Sequence, residues 1–109
     1  MTNLDESSYR ALIQSTFDRV ENAFDDIDPD LAECTQSSGA LTLTLSDQSR
    51  IILSAQPSVR QLWLALAARG TALHLNWKDG AWMDDKNRGI ELYSYLTQIL
   101  TEAGVAISF

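Results

Sequence analysis

The chain has 109 residues, of which 45% are apolar, 8% aromatic and 21% charged. That length and apolar share suit a single domain over residues 1–109 and exclude a disordered chain, a collagen-like chain and a disulfide scaffold. The formal charge of −7 argues against a nucleic-acid partner, because phosphate binding needs a basic face.

No apolar run approaches the roughly 20 residues that cross a bilayer. The start, Met1-Thr2-Asn3-Leu4-Asp5-Glu6, lacks the basic-then-apolar pattern of a secretory signal. A cytoplasmic protein without a membrane partner is expected. Cys34 is the single cysteine; it offers no internal disulfide and, without companions, no structural zinc or iron–sulfur cluster. The charge is unevenly placed: residues 1–33 hold nine acids against Arg10 and Arg19, whereas residues 34–109 hold six acids and six bases. The whole excess falls in the first third of the chain and concentrates a negative field on one side of the molecule.

In chain order, Thr2 and Asp5 have capping-box spacing, and Leu4, Tyr9, Leu12, Ile13, Phe17, Val20 and Phe24 recur near 3.6, which predicts an amphipathic helix over about 4–25. Asp18, Glu21 and Asp25 stack at i, i+3, i+7 on its solvent side. Like charges at this spacing repel, at a cost of a few tenths of a kcal/mol per pair, roughly, and acids near a helix C-terminus oppose the macrodipole. Pro29 closes the acidic exit Asp26-Ile27-Asp28-Pro29-Asp30. A strand over 31–36 follows, carrying Glu33 close to the acidic helix end, and then a turn at Ser37-Ser38-Gly39. Leu41-Thr42-Leu43-Thr44-Leu45 alternates strictly, with leucines to the core. A turn at Asp47-Gln48 leads to a strand over 50–54.

The next strand, over 59–66, turns Leu62, Leu64 and Leu66 inward and Gln61, Trp63 and Ala65 outward. After Arg69-Gly70-Thr71, a strand over 72–77 repeats the pattern, with His74 and Asn76 outward. Asp79-Gly80 signals a tight hairpin into a short strand around Trp82, and a second helix is predicted from Arg88 or Gly89 to Ala103 with Gly104 at its end. Val105 to Phe109 is expected to pack on the helices or the sheet. The order defines an α+β two-layer sandwich: N- and C-terminal helices on one face of a five- to six-stranded antiparallel sheet, with the other face open.

Two features carry chemistry. The acidic helix and its exit present hard oxygen ligands suited to hard cations; without an EF-hand loop or histidine ligands, the binding on offer is weak, multi-site and exchangeable. A plain solubilising face and a docking surface for a basic protein are the competing readings. Trp63, outward beside Gln61, His74 and Asn76, is a candidate interface anchor, against the alternative that a loop or helix covers it. His74 reads as a surface strand residue rather than a ligand. Acidic neighbours disfavour the Cys34 thiolate. No nucleophile elbow, serine triad or glycine-rich phosphate loop is present, so no enzyme is expected.

The chain resembles the bacterial frataxin family along almost its whole length. The resemblance rests on the acidic first helix and its exit, Gly39 through Leu45, Ser49-Arg50-Ile51-Ile52-Leu53, and Gln56-Pro57 followed by Gln61-Leu62-Trp63-Leu64-Ala65; further on come Asp79-Gly80-Ala81-Trp82, Asp85 and Gly89. It implies a protein that binds ferrous and ferric iron weakly through the first helix and first strand and acts in iron–sulfur cluster assembly, as iron donor or regulator. Its implied partners are the cysteine desulfurase, met by the acidic ridge, and the desulfurase–scaffold complex, met by the open sheet. By position, the iron candidates are Asp18, Glu21, Asp25, Asp26, Asp28, Asp30 and Glu33, and the sheet anchor is Trp63 with Gln61. A monomer is implied, with iron-driven oligomerisation left open, as is a weak ferroxidase activity, against which the lack of histidine ligands argues. The turn Asp84-Asp85-Lys86-Asn87-Arg88-Gly89 is one residue longer than the family's Asp-Arg-x-Gly, leaving Lys86 and Arg88 as alternatives for its basic position.

Overall fold

The computed structural model describes residues 4–109. Its elements run α1 (Glu6–Ala23), β1 (Ala32–Ser37), β2 (Ala40–Leu45), β3 (Arg50–Gln56), β4 (Gln61–Leu66), β5 (Thr71–Lys78), β6 (Ala81–Asp84) and α2 (Leu92–Glu102). The strands form one antiparallel sheet in sequential order, β1-β2-β3-β4-β5-β6. Among the described residues the two helices lie on one side of it and the other side faces solvent, the architecture expected from the alternation of the strands.

The inner face is a leucine layer. Leu41, Leu43, Leu53, Leu62, Leu64 and Leu75 are fully buried and meet Tyr9, Phe17 and Val20 of α1 and Leu92, Leu96 and Leu100 of α2. Two buried polar contacts fix α1 in register on this layer. The Tyr9 hydroxyl donates to the Gln61 carbonyl at 2.6 Å and accepts from the Gln56 N–H at 2.9 Å, tying the helix to the ends of β3 and β4. Burial pushes the Tyr9 phenol above its ordinary pKa, against the opposing Gln56 hydrogen bond and the Arg60 charge. At mid-helix, Trp82 Nε1–H donates to Thr16 Oγ1 at 3.0 Å, and Thr16 in turn donates to the Leu12 carbonyl, so the buried indole is satisfied.

Element ends differ from expectation for local reasons. Asp5, not Thr2, caps α1 through its carboxylate on the Ser8 N–H at 2.7 Å, so Leu4 precedes the helix; Thr2 lies outside the described residues. The helix stops at Ala23, which puts Asp25 in the turn beyond it and cuts the i, i+3, i+7 stripe short. Leu31 stays exposed and β1 begins at Ala32. Pro57–Val59 forms a 3-10 turn that ends on left-handed Arg60 (φ +52°), so β4 starts at Gln61 rather than Val59. Helix α2 starts at Leu92, capped by the Glu91 carboxylate on the Tyr93 and Ser94 N–H groups; residues 88–90 lie in the preceding loop. At its other end Gly104 takes φ +83°, with Gly104 N–H on the Thr101 carbonyl and Val105 N–H on the Leu100 carbonyl, a Schellman closure that buries Val105.

Candidate functional site

The acidic residues line one corner of the molecule, where α1 ends and edge strand β1 begins. Asp18 is exposed on α1 and accepts from Gln14 Nε2 at 2.8 Å. Glu21 and Asp25 border a shallow hollow of about 310 Å³ that Glu33 closes from β1, over a floor that includes Phe24, Ile27 and Cys34. Asp26 and Asp30 are exposed. Asp28 orders the exit, its carboxylate accepting from the Asp30 N–H and its carbonyl from the Leu31 and Ala32 N–H groups. The structure therefore brings Glu21, Asp25 and Glu33 to one hollow, while Asp18, Asp26, Asp28 and Asp30 do not line it. Among the described residues, no three carboxylate, thiol or imidazole groups converge closely enough to hold an ion.

The two bases of the first third do not neutralise this corner. Arg10 pairs with Glu6 at 2.6 Å. Arg19 turns to the far end of the chain: Nε and Nη2 donate to the Phe109 oxygen at 3.3 and 3.0 Å, and the guanidinium lies 4.2 Å from the Tyr93 ring centroid. Among the described residues, none of Asp18, Glu21, Asp25, Asp26, Asp28, Asp30 or Glu33 has a cation within ion-pair distance. Cys34 is half-buried beneath them, and its thiol is pushed up to about 12, first by burial and second by the Glu21 charge. The sequence pointed to the acidic neighbours; the larger cause is desolvation.

The second surface lies on the open face of the sheet, where Trp63 on β4 pairs with His74 on β5. The indole and imidazole stack, with centroids 4.2 Å apart and planes at 14°. Trp63 Nε1–H donates to Gln61 Oε1 at 2.8 Å, and Gln61 Nε2 donates to Asn76 Oδ1 at 3.1 Å and Asp85 Oδ2 at 3.2 Å. All four residues expected to form a partner surface, Gln61, Trp63, His74 and Asn76, are thus in one connected cluster, in which Trp63 is part-buried. The cluster borders a cleft of about 660 Å³ through Asn76 and Asp85.

Sequence reasoning placed Asp84 and Asp85 in the turn before the last helix but gave neither a role. The Asp84 side chain is fully buried and takes both Arg88 Nε and Nη2 at 2.8 Å, along with the Lys86 and Arg88 N–H groups. The Arg88 hydrogen bond holds its carboxyl down at about 2, against the opposing effect of burial. Arg88 is therefore the structural base of this loop, while Lys86 makes no ion pair among the described residues. The loop so shaped carries Asp85 onto the open face, where its N–H donates to the His74 carbonyl at 2.9 Å.

Two helices over one face of a six-stranded antiparallel sheet, with an unpaired acidic corner and an aromatic open face, define a small α+β sandwich protein. The comparisons narrow this class. The frataxin-like domain family matches residues 2–105, and the chain belongs to that family. It is 36% identical over 84% of its length to the iron-sulfur cluster assembly protein CyaY of Tolumonas auensis, covering 85% of that protein. It is 32% identical to the CyaY of Pseudoalteromonas atlantica over 97% of this chain and 95% of that one. Among solved structures, frataxin from Psychromonas ingrahamii superposes with a TM-score of 0.84 at 21% identity, covering 96% of this chain and 97% of that one. Trimeric frataxin from the yeast Saccharomyces cerevisiae, complexed with ferrous iron, matches with a TM-score of 0.63 at 23% identity over 94% of this chain and 88% of that one. At these identities the structural matches bear on the fold.

Proposed function

We propose that this protein handles iron for iron–sulfur cluster assembly in the cytoplasm, as donor to or regulator of a cysteine desulfurase–scaffold complex, with no covalent catalysis of its own. Family membership and the names of its relatives support the assembly role. The observation that carries the iron reading is the unpaired state of the acidic corner, whose own cations are engaged elsewhere. Exposed hard oxygens that do not converge on one point bind a hard cation weakly and release it readily, which suits iron as cargo rather than as a resident cofactor. Asp18, Glu21, Asp25, Asp26, Asp28, Asp30 and Glu33 are the proposed contacts. The working unit is a monomer, and the open face around Trp63 is its docking surface for the complex.

A second reading, an acidic module that recognises a basic partner without physiological metal, draws on the lack of three converging ligands among the described residues. Desulfurase–scaffold turnover at several iron levels separates the two. The iron reading expects a rate effect of this protein that varies with iron and is lost when Asp25, Asp26 and Asp28 become Asn. The module reading expects binding that weakens with salt and survives chelation. A turnover rate identical with and without the protein, at every iron level, refutes both.

A further inference from the structure

The open-face cluster has a direction. The Trp63 indole N–H can only donate, and the Asp85 carboxylate can only accept. Gln61 lies between them, with Oε1 on the indole at 2.8 Å and Nε2 on Asp85 Oδ2 at 3.2 Å. Its amide is therefore oriented by its two neighbours: a flip would set Nε2 against the indole N–H and Oε1 against the carboxylate, losing both hydrogen bonds. Asn76 Oδ1 accepts from the same Nε2 at 3.1 Å, but an Asn amide can itself turn to offer its NH₂ group, so it does not impose the direction.

Asp85 itself is well anchored. Its N–H closes on the His74 carbonyl at 2.9 Å, extending the β5–β6 pairing by one residue. Its side chain is 25% exposed, and Asp85 Oδ2 lies 4.0 Å from His74 Nδ1. The carboxylate thus reaches the indole through Gln61 and approaches the imidazole directly.

We propose that Asp85 is the positioning residue of the docking face: by orienting the Gln61 amide it holds the Trp63 indole flat on His74 before any partner arrives. This rests on the reading of the Trp63 face as a docking surface. Its value to binding is preorganisation, since an anchor side chain already held in its bound rotamer loses less freedom on association.

The test uses the full chain with Asp85→Ala and Asp85→Asn, read by two measurements. The first needs no partner: the indole N–H resonance of Trp63 and its solvent exchange. Asp85→Ala is expected to shift that resonance and speed exchange several-fold, while Trp77 and Trp82 keep their signals. Asp85→Asn, whose amide can turn to offer either its oxygen or its NH₂ group, no longer imposes the direction and is expected to shift the resonance in the same sense by a smaller amount. The second is affinity for the desulfurase–scaffold complex, expected to weaken about five- to tenfold in Asp85→Ala and by less in Asp85→Asn. An unchanged Trp63 resonance in Asp85→Ala overturns the proposal, as does an altered resonance with unaltered affinity. Absence of wild-type binding refutes the docking reading instead, and the Trp63 resonance still decides whether Asp85 orders the face.

Discussion

Replacing Arg88 by Ala removes two 2.8 Å hydrogen bonds from a carboxylate whose side chain has no solvent exposure, leaving Asp84 with only the Lys86 and Arg88 N–H groups. The magnitude follows from linkage. The Asp84 pKa falls from 3.8 to about 2 in the folded protein; at about 1.4 kcal/mol per unit, this caps the contribution near 2.5 kcal/mol. The guanidinium is 48% exposed, so solvent screens the pair, and about 1–2 kcal/mol is the realistic share. For a domain of this size that lowers Tm by about 5–12 °C. The sign is set by the direction of the shift. A depressed carboxylate pKa stabilises the fold above its unfolded value, and that stability is lost as pH falls from about 4 towards 2. Thermal melts from pH 7 to 2 on wild type and Arg88→Ala should therefore show two curves separated at neutral pH that converge in that acid window. Melts that differ by less than about 2 °C at pH 7, or that stay parallel down to pH 2, would refute the reasoning.

Two further predictions concern the core. Thr16→Val keeps the volume but strips the acceptor from the buried Trp82 indole N–H, and should cost about 1–3 kcal/mol in denaturant unfolding, whereas Ser at the same position should cost less. Cys34, with its thiol pushed up to about 12, should resist iodoacetamide at pH 8 in the native state and react at the rate of a free thiol once unfolded. Fast native alkylation contradicts the burial described for it.

How much of this could be read in the sequence depended on the range of the interaction. Leu41 to Leu45 alternates with period two, and those leucines are the buried ones; the Asp79-Gly80 hairpin turns with both residues at positive φ. Such signals are local and decided the sheet, the helices and the outward placement of Trp63. The misplaced ends came from weaker local signals: Glu91 is an uncommon N-cap residue type, and nothing in Pro57 to Arg60 marked a 3-10 turn ending on a left-handed arginine. The site was legible as composition but not as geometry. Acid spacing predicted a ridge and a strand that carries Glu33 towards the helix end, and Glu33 does share a hollow with Glu21 and Asp25; only the fold draws Arg19 away to Phe109, 90 positions further on. The Asp85–Gln61 link spans 24 positions and two strands, and nothing in a period of two or 3.6 foretells it. Asp84 and Arg88 are only four apart, but that Asp84 is buried, and so fixes Arg88 as the loop's base, depends on its pairing at the end of β6 with buried Leu75 of β5.

The central claim is that the carboxylates from Asp18 to Glu33 are left unpaired so that an external positive charge can meet them. The most direct measurement is an anaerobic titration with Fe²⁺, or Co²⁺ as a hard surrogate, that follows backbone resonances and Tm on the same samples. Bound cation relieves the mutual repulsion of the acids, so Tm should rise with metal, and the resonances that move or broaden should be confined to residues 18–33. A flat melt together with an unchanged spectrum in that segment contradicts the account.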